Sequence, residues 1–285
     1  MAPVLRTLHV PGPSPDLSVA LGILDSGVGG LLVVRHLTEL DPGISFCYLA
    51  DEAHAPYGVR RPGELWHWSR EIAGFFRSCG CPVVVLACNS ASAASLYRLR
   101  MRYRDTRFVG IDPFVRPAPR QSRDDRIGVL ATAATLGGEP YAGVIRRFAS
   151  CLDVYARACP EWVELVENGD LRSAQAMWIV KAGLDPVLAS GVDQLVLGCT
   201  HFSFLRDLVV HVAGPGVCVI DPSEAVARQA IRVLEQEPGV RLRDRAPAKR
   251  LFLTTGPVEE LAAHRDLLTE HRMEVREARW MLPAT

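Results

Sequence analysis

The sequence predicts an α/β protein made of two pseudo-symmetric domains, each a mainly parallel sheet flanked by helices, with the functional site in the interdomain cleft. Three observations predict it. Short runs that are apolar throughout alternate with segments of helical period, as in a parallel sheet covered on both faces. Segments of the first half recur in order in the second half. Each half also carries a cysteine just past the end of an equivalent apolar run.

Residues 1–19 hold Pro3, Pro11, Pro13 and Pro15 and little periodicity, so they read as a tail, with order expected from Val19. Val19–Leu24 is a buried-strand run that ends at Asp25-Ser26-Gly27, and Leu31–Leu40 follows as a helix. Ile44–Leu49 is the second strand, Ala50–Gly58 a loop, and Gly63–Ser78 an amphipathic helix. Pro82–Ala87 is a strand that runs directly into Cys88-Asn89-Ser90.

The recurrence is legible at three places. Gly22-Ile23-Leu24-Asp25 resembles Gly128-Val129-Leu130-Ala131, at an offset of 106 residues. Val83–Cys88 resembles the stretch ending at Cys199, at an offset of 111, and Phe108–Pro113 resembles Val217–Pro222, at an offset of 109. Near-constant offsets in conserved order imply two copies of one α/β unit. In parallel sheets, functional groups gather at the carboxyl ends of strands. Copies facing each other would place one thiol on each side of a shared cleft, the arrangement that inversion of a stereocentre requires.

Composition narrows the classes. Of 285 residues, 48 % are hydrophobic and 22 % charged, which excludes disorder as the main state. A formal net charge of zero removes any global electrostatic case for nucleic acid or anionic membrane. The arginine-rich stretch from Arg98 to Arg126 reads as a solvated helix face and linker, with an acidic partner as the alternative. The eight cysteines include no C-x-x-C pair, and no histidine pair has zinc spacing, so no metal site is expected. The N-terminal residues lack the charged and apolar regions of a signal peptide, and no apolar run approaches the about 18 residues of a membrane span. The expected compartment is the cytoplasm, with thiols reduced.

Cys88-Asn89-Ser90-Ala91 opens a helix after a buried strand. The free N–H groups and partial positive charge of a helix start favour a thiolate and a bound carboxylate. Gly198-Cys199-Thr200-His201 repeats the pattern and adds His201 as a proton partner. Taken singly, either cysteine is more simply a small buried hydrophobe; their equivalent repeat positions reverse that preference. The glycines of Asp25-Ser26-Gly27-Val28-Gly29-Gly30 complete no phosphate-loop pattern. A tight turn is one reading, and Asp25 holding a substrate ammonium or tuning a thiol is the other. Asp221 reads as a helix N-cap with Pro222 at the first helical position. Cys47, Cys79, Cys81, Cys151 and Cys218 lack comparable settings and read as inert.

From about Leu21 to about Pro257 the chain resembles the glutamate racemases of the aspartate/glutamate racemase superfamily. The carriers are Gly22 through Gly30, Pro56-Tyr57-Gly58, Ala87 through Ala91, Ala131-Thr132-Ala133-Ala134-Thr135, Ala158-Cys159-Pro160, Leu165-Val166-Glu167-Asn168-Gly169 and Gly198 through His201. The resemblance implies cofactor-independent racemisation of glutamate, supplying D-glutamate for peptidoglycan. Cys88 and Cys199 would be the acid/base pair, assisted by Asp25 and His201, with Glu167 lining the site. Asn89, Ser90, Thr135 and Thr200 would hold the α-carboxylate and its surroundings. Ser26 and the backbone of Pro56, Tyr57 and Gly58 would receive the side-chain carboxylate. Neither pyridoxal phosphate nor metal is implied.

It further implies one domain of 20–113 with 223–285 and another of 114–222, after the 1–19 tail. The partners expected are a small-molecule amino-acid substrate and, as an assembly, a homodimer, without nucleic acid or membrane. Because the tail precedes every matched motif, its removal is expected to leave the chemistry nearly unchanged.

The shell departs from the family pattern. Ser90 stands for a usual Thr, His54 for a common Arg and Gly138 for a frequent Ser; Glu161 and Glu164 interrupt an apolar run; Phe202 and Ser203 replace Tyr-Pro. These changes leave open a related enzyme such as an aspartate racemase. A decarboxylase relative would keep only one of the two cysteines. A racemase-derived binding protein is the non-enzymatic alternative, against which stands the presence of Cys88, Cys199, Asp25 and His201.

Overall fold

The structure is a computed structural model that describes residues 7–11, 21–111, 122–137, 142–143, 152–238, 248–268 and 273–281. Val19, Asp112 and Pro113, Gly138, Cys151 and most of the 1–19 tail lie outside the described residues.

Apolar runs become strands and periodic segments become helices. The first sheet takes β2 (Leu21–Asp25), β3 (Phe46–Ala50), β4 (Val83–Leu86) and β5 (Arg107–Gly110). Between them run α1 (Leu31–Leu40), α2 (Pro62–Ser78) and α3 (Asn89–Arg102). Late in the chain β10 (Arg250–Thr254) and β11 (Val275–Glu277) extend the same sheet, whose order is β11-β10-β3-β2-β4-β5, parallel at every pairing. Strands β2, β3 and β4 are buried at every position, which is why they read as unbroken apolar runs.

The second sheet takes β6 (Arg126–Ala131), β7 (Asp153–Ala158), β8 (Gln194–Gly198) and β9 (Cys218–Ile220), in the parallel order β7-β6-β8-β9. Its described helices are α4 (Ala133–Leu136), α5 (Pro160–Glu167), α6 (Ala174–Leu188) and α7 (Arg206–Ala213). After them come α8 (Ser223–Glu235) and α9 (Val258–Ala263), and α8 packs back onto α1. The order β3-β2-β4-β5 recurs as β7-β6-β8-β9, the three-dimensional form of the internal repeat. One apolar cluster runs from Ile23 and Val85 of the first sheet through Val28 and Leu31 to Trp162, Leu197 and Phe202 of the second.

Several boundaries shift for local reasons. Proline fits the first helical turn, so α2 starts at Pro62, one residue before the expected Gly63. Helix α8 starts at Ser223, one residue later than expected. Asp221 Oδ1 still accepts from the Ser223 N–H at 2.9 Å, so the capping interaction is present although Pro222 occupies the cap position.

The tail is the larger correction. Order does not wait for Val19. Thr7–His9 forms β1, paired antiparallel with β12 (Arg279–Met281), and Leu8 and Val10 pack against the core of the first sheet. Prolines and missing periodicity hid a strand whose partner lies at the other end of the chain.

Gly22 gives a test of the central packing. A Cβ there would lie 2.5 Å from the Phe76 ring, whose own side chain is fully buried. Gly22→Ala is expected to cost about 1–3 kcal/mol by overpacking, read as a lower urea midpoint; an unchanged midpoint would contradict this account of the β2–α2 contact.

Candidate active site

Both sheets end in the same local pattern. Cys88 is the extended cap residue between β4 and α3, and Cys199 is the extended cap residue between β8 and the 3-10 turn Thr200–Leu205. The chain must turn sharply there to leave the sheet, so the side chain at the turn is held at the carboxyl end of the strand. Both thiols are buried, at 5 % and 6 % exposure. Burial and then the Asp25 charge raise the Cys88 thiol, and charge on Cys199 adds a smaller push in the same direction.

The two sheets meet through the loop after β2. A Cβ on Gly29 would stand 2.5 Å from Thr200 Oγ1 and 2.6 Å from His201 Nδ1, and one on Gly27 would stand 2.6 Å from Glu167 Oε1. The glycines that resembled a phosphate loop are therefore used for close approach. Gly58 makes a similar approach to the Thr132 side chain.

Asp25 is fully buried at the end of β2. Its Oδ2 accepts from the Gly30 N–H at 2.9 Å and the Gly27 N–H at 3.3 Å. The Tyr48 hydroxyl donates to the Gly27 carbonyl at 2.6 Å and lies 3.3 Å from the same carboxylate oxygen. Burial raises the Asp25 carboxyl, and the charge of His201 and the N–H groups of Gly30, Gly27 and Ser26 only partly offset it. Asp25 Oδ1 and Asn89 Oδ1 are buried acceptors with no hydrogen-bond partner among the described residues. Unpaired buried acceptors are costly, and a bound ammonium group is a donor that would satisfy them.

The surroundings of the two thiols differ. Cys88 Sγ donates to Ser26 Oγ at 3.8 Å. Burial pushes the Cys88 thiol well up and the Asp25 charge adds to this, against the Ala91 N–H and the Ser26 hydroxyl. Cys199 Sγ lies 3.9 Å from His201 Nδ1, and His201 Nε2 is 2.5 Å from Glu167 Oε1. Burial works against a charged imidazole at His201. Hydrogen bonding and charge from Cys199 and Glu167 outweigh it and hold the ring well above its usual value. Glu167 is correspondingly lowered: burial raises it, but the bond to His201 and the charges of His201 and His264 prevail. Cys88 thus rests as a thiol, while Cys199 has an imidazolium for a neighbour.

Around the start of α3 the hydroxyls form a closed set. Ser90 Oγ is 2.9 Å from Thr132 Oγ1 and 3.4 Å from Thr135 Oγ1, and the two threonine hydroxyls are 3.0 Å apart. This set joins the first sheet to the second. Thr200 is buried against the Gly29 loop. Of the Pro56-Tyr57-Gly58 turn, Pro56 is exposed, Gly58 faces Thr132, and the buried Tyr57 hydroxyl donates to Asp51 Oδ2 at 2.6 Å, where sequence reading expected only backbone contacts from this turn.

Thr132, Tyr48 and Asp51 were not singled out by sequence. Thr132 carries a signal, since a threonine just before a helix is a ready N-cap, and its side chain does cap α4. Asp51 follows a strand end, where functional groups collect. Tyr48 lies inside an apolar run and carries no signal. Among the described residues no group of three His, Cys, Asp or Glu is placed to hold a metal ion, and no helix is long and apolar enough to cross a membrane.

The sequence profile of the Asp/Glu/Hydantoin racemase family matches residues 34–230. The chain belongs to this family. Among its relatives, the glutamate racemase of Pseudomonas putida (strain W619) is 41 % identical over 247 residues, 87 % of this chain and 88 % of the relative. A glutamate racemase isoform from Bacillus anthracis superposes with a TM-score of 0.81 at 30 % identity, covering 90 % of this chain and 96 % of that one. The Escherichia coli glutamate racemase in complex with L-glutamate and the activator UDP-MurNAc-Ala gives 0.79 at 28 % identity, with 94 % and 100 % covered. Asp25, Cys88 and Cys199 thus lie in a racemase fold, each at the end of a central parallel strand.

The His201–Glu167 pair gives this racemase a pH signature. Because the folded His201 titrates above its ordinary 6.5, its charge contributes stability that is complete below 6.5 and is lost as pH rises through the raised folded value. Glu167→Gln removes the ion-pair acceptor and is expected to move that loss to lower pH. An NMR titration of the His201 ring in both proteins checks it, and an unshifted midpoint would overturn the assignment.

Proposed function

We propose that this chain interconverts L-glutamate and D-glutamate without a cofactor, by a two-thiol mechanism. The single observation that carries the reading is a pair of buried cysteines at equivalent strand ends, in a chain 41 % identical to a glutamate racemase.

In the L-to-D direction Cys199 Sγ, as thiolate, takes the α-proton and becomes a thiol. Cys88 Sγ–H gives its proton to the opposite face of the same carbon and becomes a thiolate. Each L-to-D turnover leaves Cys199 as thiol and Cys88 as thiolate, the form that acts on D-glutamate; loss of a proton from Cys199 to water and gain of one by Cys88 from water restore the starting form. His201 supplies a positive neighbour to the sulfur of Cys199 while that sulfur carries charge, and Glu167 keeps the ring oriented. A carbanion forming at the α-carbon needs electrostatic help, for which the start of α3 and the hydroxyls of Ser90, Thr132, Thr135 and Thr200 are positioned. The ammonium group finds its acceptors at Asp25 and Asn89. Ser26, Tyr57 and Gly58 form the subsite for the side-chain carboxylate, with the exposed Pro56 shaping the turn.

The finer expectations stay with this reading. The domains are 20–113 with 223–285 and 114–222, in keeping with the membership of the two sheets. The product supplies peptidoglycan, in the cytoplasm. A homodimer is supported by Tyr97 and Met101, which stand exposed one helical turn apart on α3; sedimentation at the 31.2 kDa of a single chain would remove it.

Two measurements test the function. Glutamate is expected to turn over faster than aspartate in a chiral assay without added cofactor; comparable or faster aspartate turnover would overturn the substrate assignment.

Cys88→Ser and Cys199→Ser are each expected to lower inversion by at least about a hundredfold, since a hydroxyl replaces neither the acid nor the thiolate. Each keeps one thiol. Cys88→Ser is therefore expected to exchange the α-proton of L-glutamate in deuterated water, and Cys199→Ser that of D-glutamate. Substantial inversion by either variant would rule out an obligatory second thiol, and exchange of the opposite enantiomer would reverse the assignment of faces.

A further inference from the structure

The turn that carries Tyr57 and Gly58 is held from behind by one buried carboxylate. Asp51 follows β3 and is 0 % exposed. Its Oδ2 accepts from the Tyr57 hydroxyl at 2.6 Å and from His54 Nδ1 at 2.9 Å. Its Oδ1 accepts from the Thr255 hydroxyl at 2.8 Å and from the Trp280 indole N–H at 2.7 Å. Two donors on each oxygen fix the plane of the carboxylate as well as its position. A buried charge satisfied in this way is anchored, because every alternative orientation leaves a donor or an oxygen unpaired.

The fourth donor comes from far away in the chain. Trp280 lies on β12, whose partner β1 pairs Leu8 with Trp280. Leu8, Val10 and Trp280 pack against the apolar cluster that contains Tyr57 and Trp68. The Trp280 ring meets His54 edge-on at 5.1 Å, and His54 stacks on Trp68 at 4.1 Å. The ribbon made by the two ends of the chain thus seats an indole whose ring presses on one donor to Asp51 while its N–H is another.

We propose that this terminal ribbon positions the substrate turn: Trp280, acting through Asp51, sets where Tyr57 and Gly58 stand, and with them the subsite for the substrate's side-chain carboxylate. The subsite assignment rests on the function proposed above. Trp280 touches no reacting atom and is a positioning residue. Without its N–H, Oδ1 keeps only Thr255. The carboxylate then pivots about its Cβ–Cγ bond and the Tyr57 hydroxyl follows. The motion reaches Gly58, which lies on Thr132 beside Ser90 and Thr135. Asp25, His201 and the two thiols are held by contacts of their own, so the consequence falls on substrate binding and not on proton transfer. The tail, whose removal the sequence treats as nearly harmless, is on this account part of the binding apparatus.

Trp280→Phe keeps a six-membered aromatic ring and removes the N–H donor with the rest of the indole, so Thr255→Val, which removes the other donor on Asp51 Oδ1 and touches no ring, is measured beside it. Two readouts are taken on each: hydrogen exchange of the amides of residues 51–61, and the steady-state constants for L-glutamate. Exchange over 51–61 is expected to quicken while exchange elsewhere in the first sheet does not. KM is expected to rise about three- to tenfold, since only part of the worth of the lost hydrogen bond to a charged group is felt at the subsite, with kcat within about twofold. Deleting residues 1–11 removes the partner of β12 and is expected to act in the same direction. If Trp280→Phe does not fold, Thr255→Val decides alone. Unchanged exchange over 51–61 in a folded variant overturns the proposal, and so does a fall in kcat at unchanged KM. If the unaltered protein leaves glutamate untouched, the glutamate reading fails on its own, and the exchange result still decides whether the ribbon positions the turn.

Discussion

The contact on which the site depends is the flush packing of one glycine-rich turn against the opposite sheet. Gly27 and Gly29 leave no room for a side chain between the end of β2 and the Glu167, Thr200 and His201 side chains. Through that contact the end of the first sheet reaches the second, and an apolar cluster from Val28 and Leu31 to Trp162 and Phe202 seals the junction behind it. Asp25, Cys88 and Cys199, at strand ends remote in sequence, are all buried there. In such a place a charge is costly unless a partner is fixed beside it.

That cost explains why the two halves are equivalent in topology and unequal in electrostatics. Each half contributes a cysteine at the same point of the same strand order. The first half surrounds its thiol with Asp25 and Ser26, and burial together with a like charge holds the proton on sulfur. The second half places His201 beside its thiol and Glu167 behind the imidazole, so positive charge is stabilised next to that sulfur. On the proposed mechanism the repeat supplies the geometry of an inversion, and the differences between the copies set a thiol that burial keeps protonated opposite a sulfur that has His201 for a neighbour.

The departures from the family pattern find local partners. Phe202 is fully buried and packs edge-to-face on Trp162 at 5.0 Å, so an aromatic pair fills that part of the second core. Ser203 lies 3.4 Å from Ser223 Oγ at the start of α8. Glu161 and Glu164 are exposed on α5, which explains how charges interrupt an apolar run without entering the core. His54 bonds to Asp51 and stacks on Trp68 at 4.1 Å.

The sequence by itself determined the α/β class, the repeat and the strand–cysteine–helix pattern around Cys88 and Cys199. Those features are local: unbroken apolar runs mark buried parallel strands, and a turn residue follows each strand wherever the sheets come to lie. Only the tertiary structure decided that Thr7–His9 pairs with Arg279–Met281, that Trp280 and Thr255 reach Asp51, and that Thr132 joins Ser90 across the two sheets. Tyr48 sat unmarked in an apolar run, yet its hydroxyl lies against the Gly27 carbonyl and Asp25. The strand pair is a short backbone ladder, and each of the other contacts joins residues distant in the chain through one or two polar atoms. Such contacts impose no period on the sequence, and their partners are settled by packing of the whole fold.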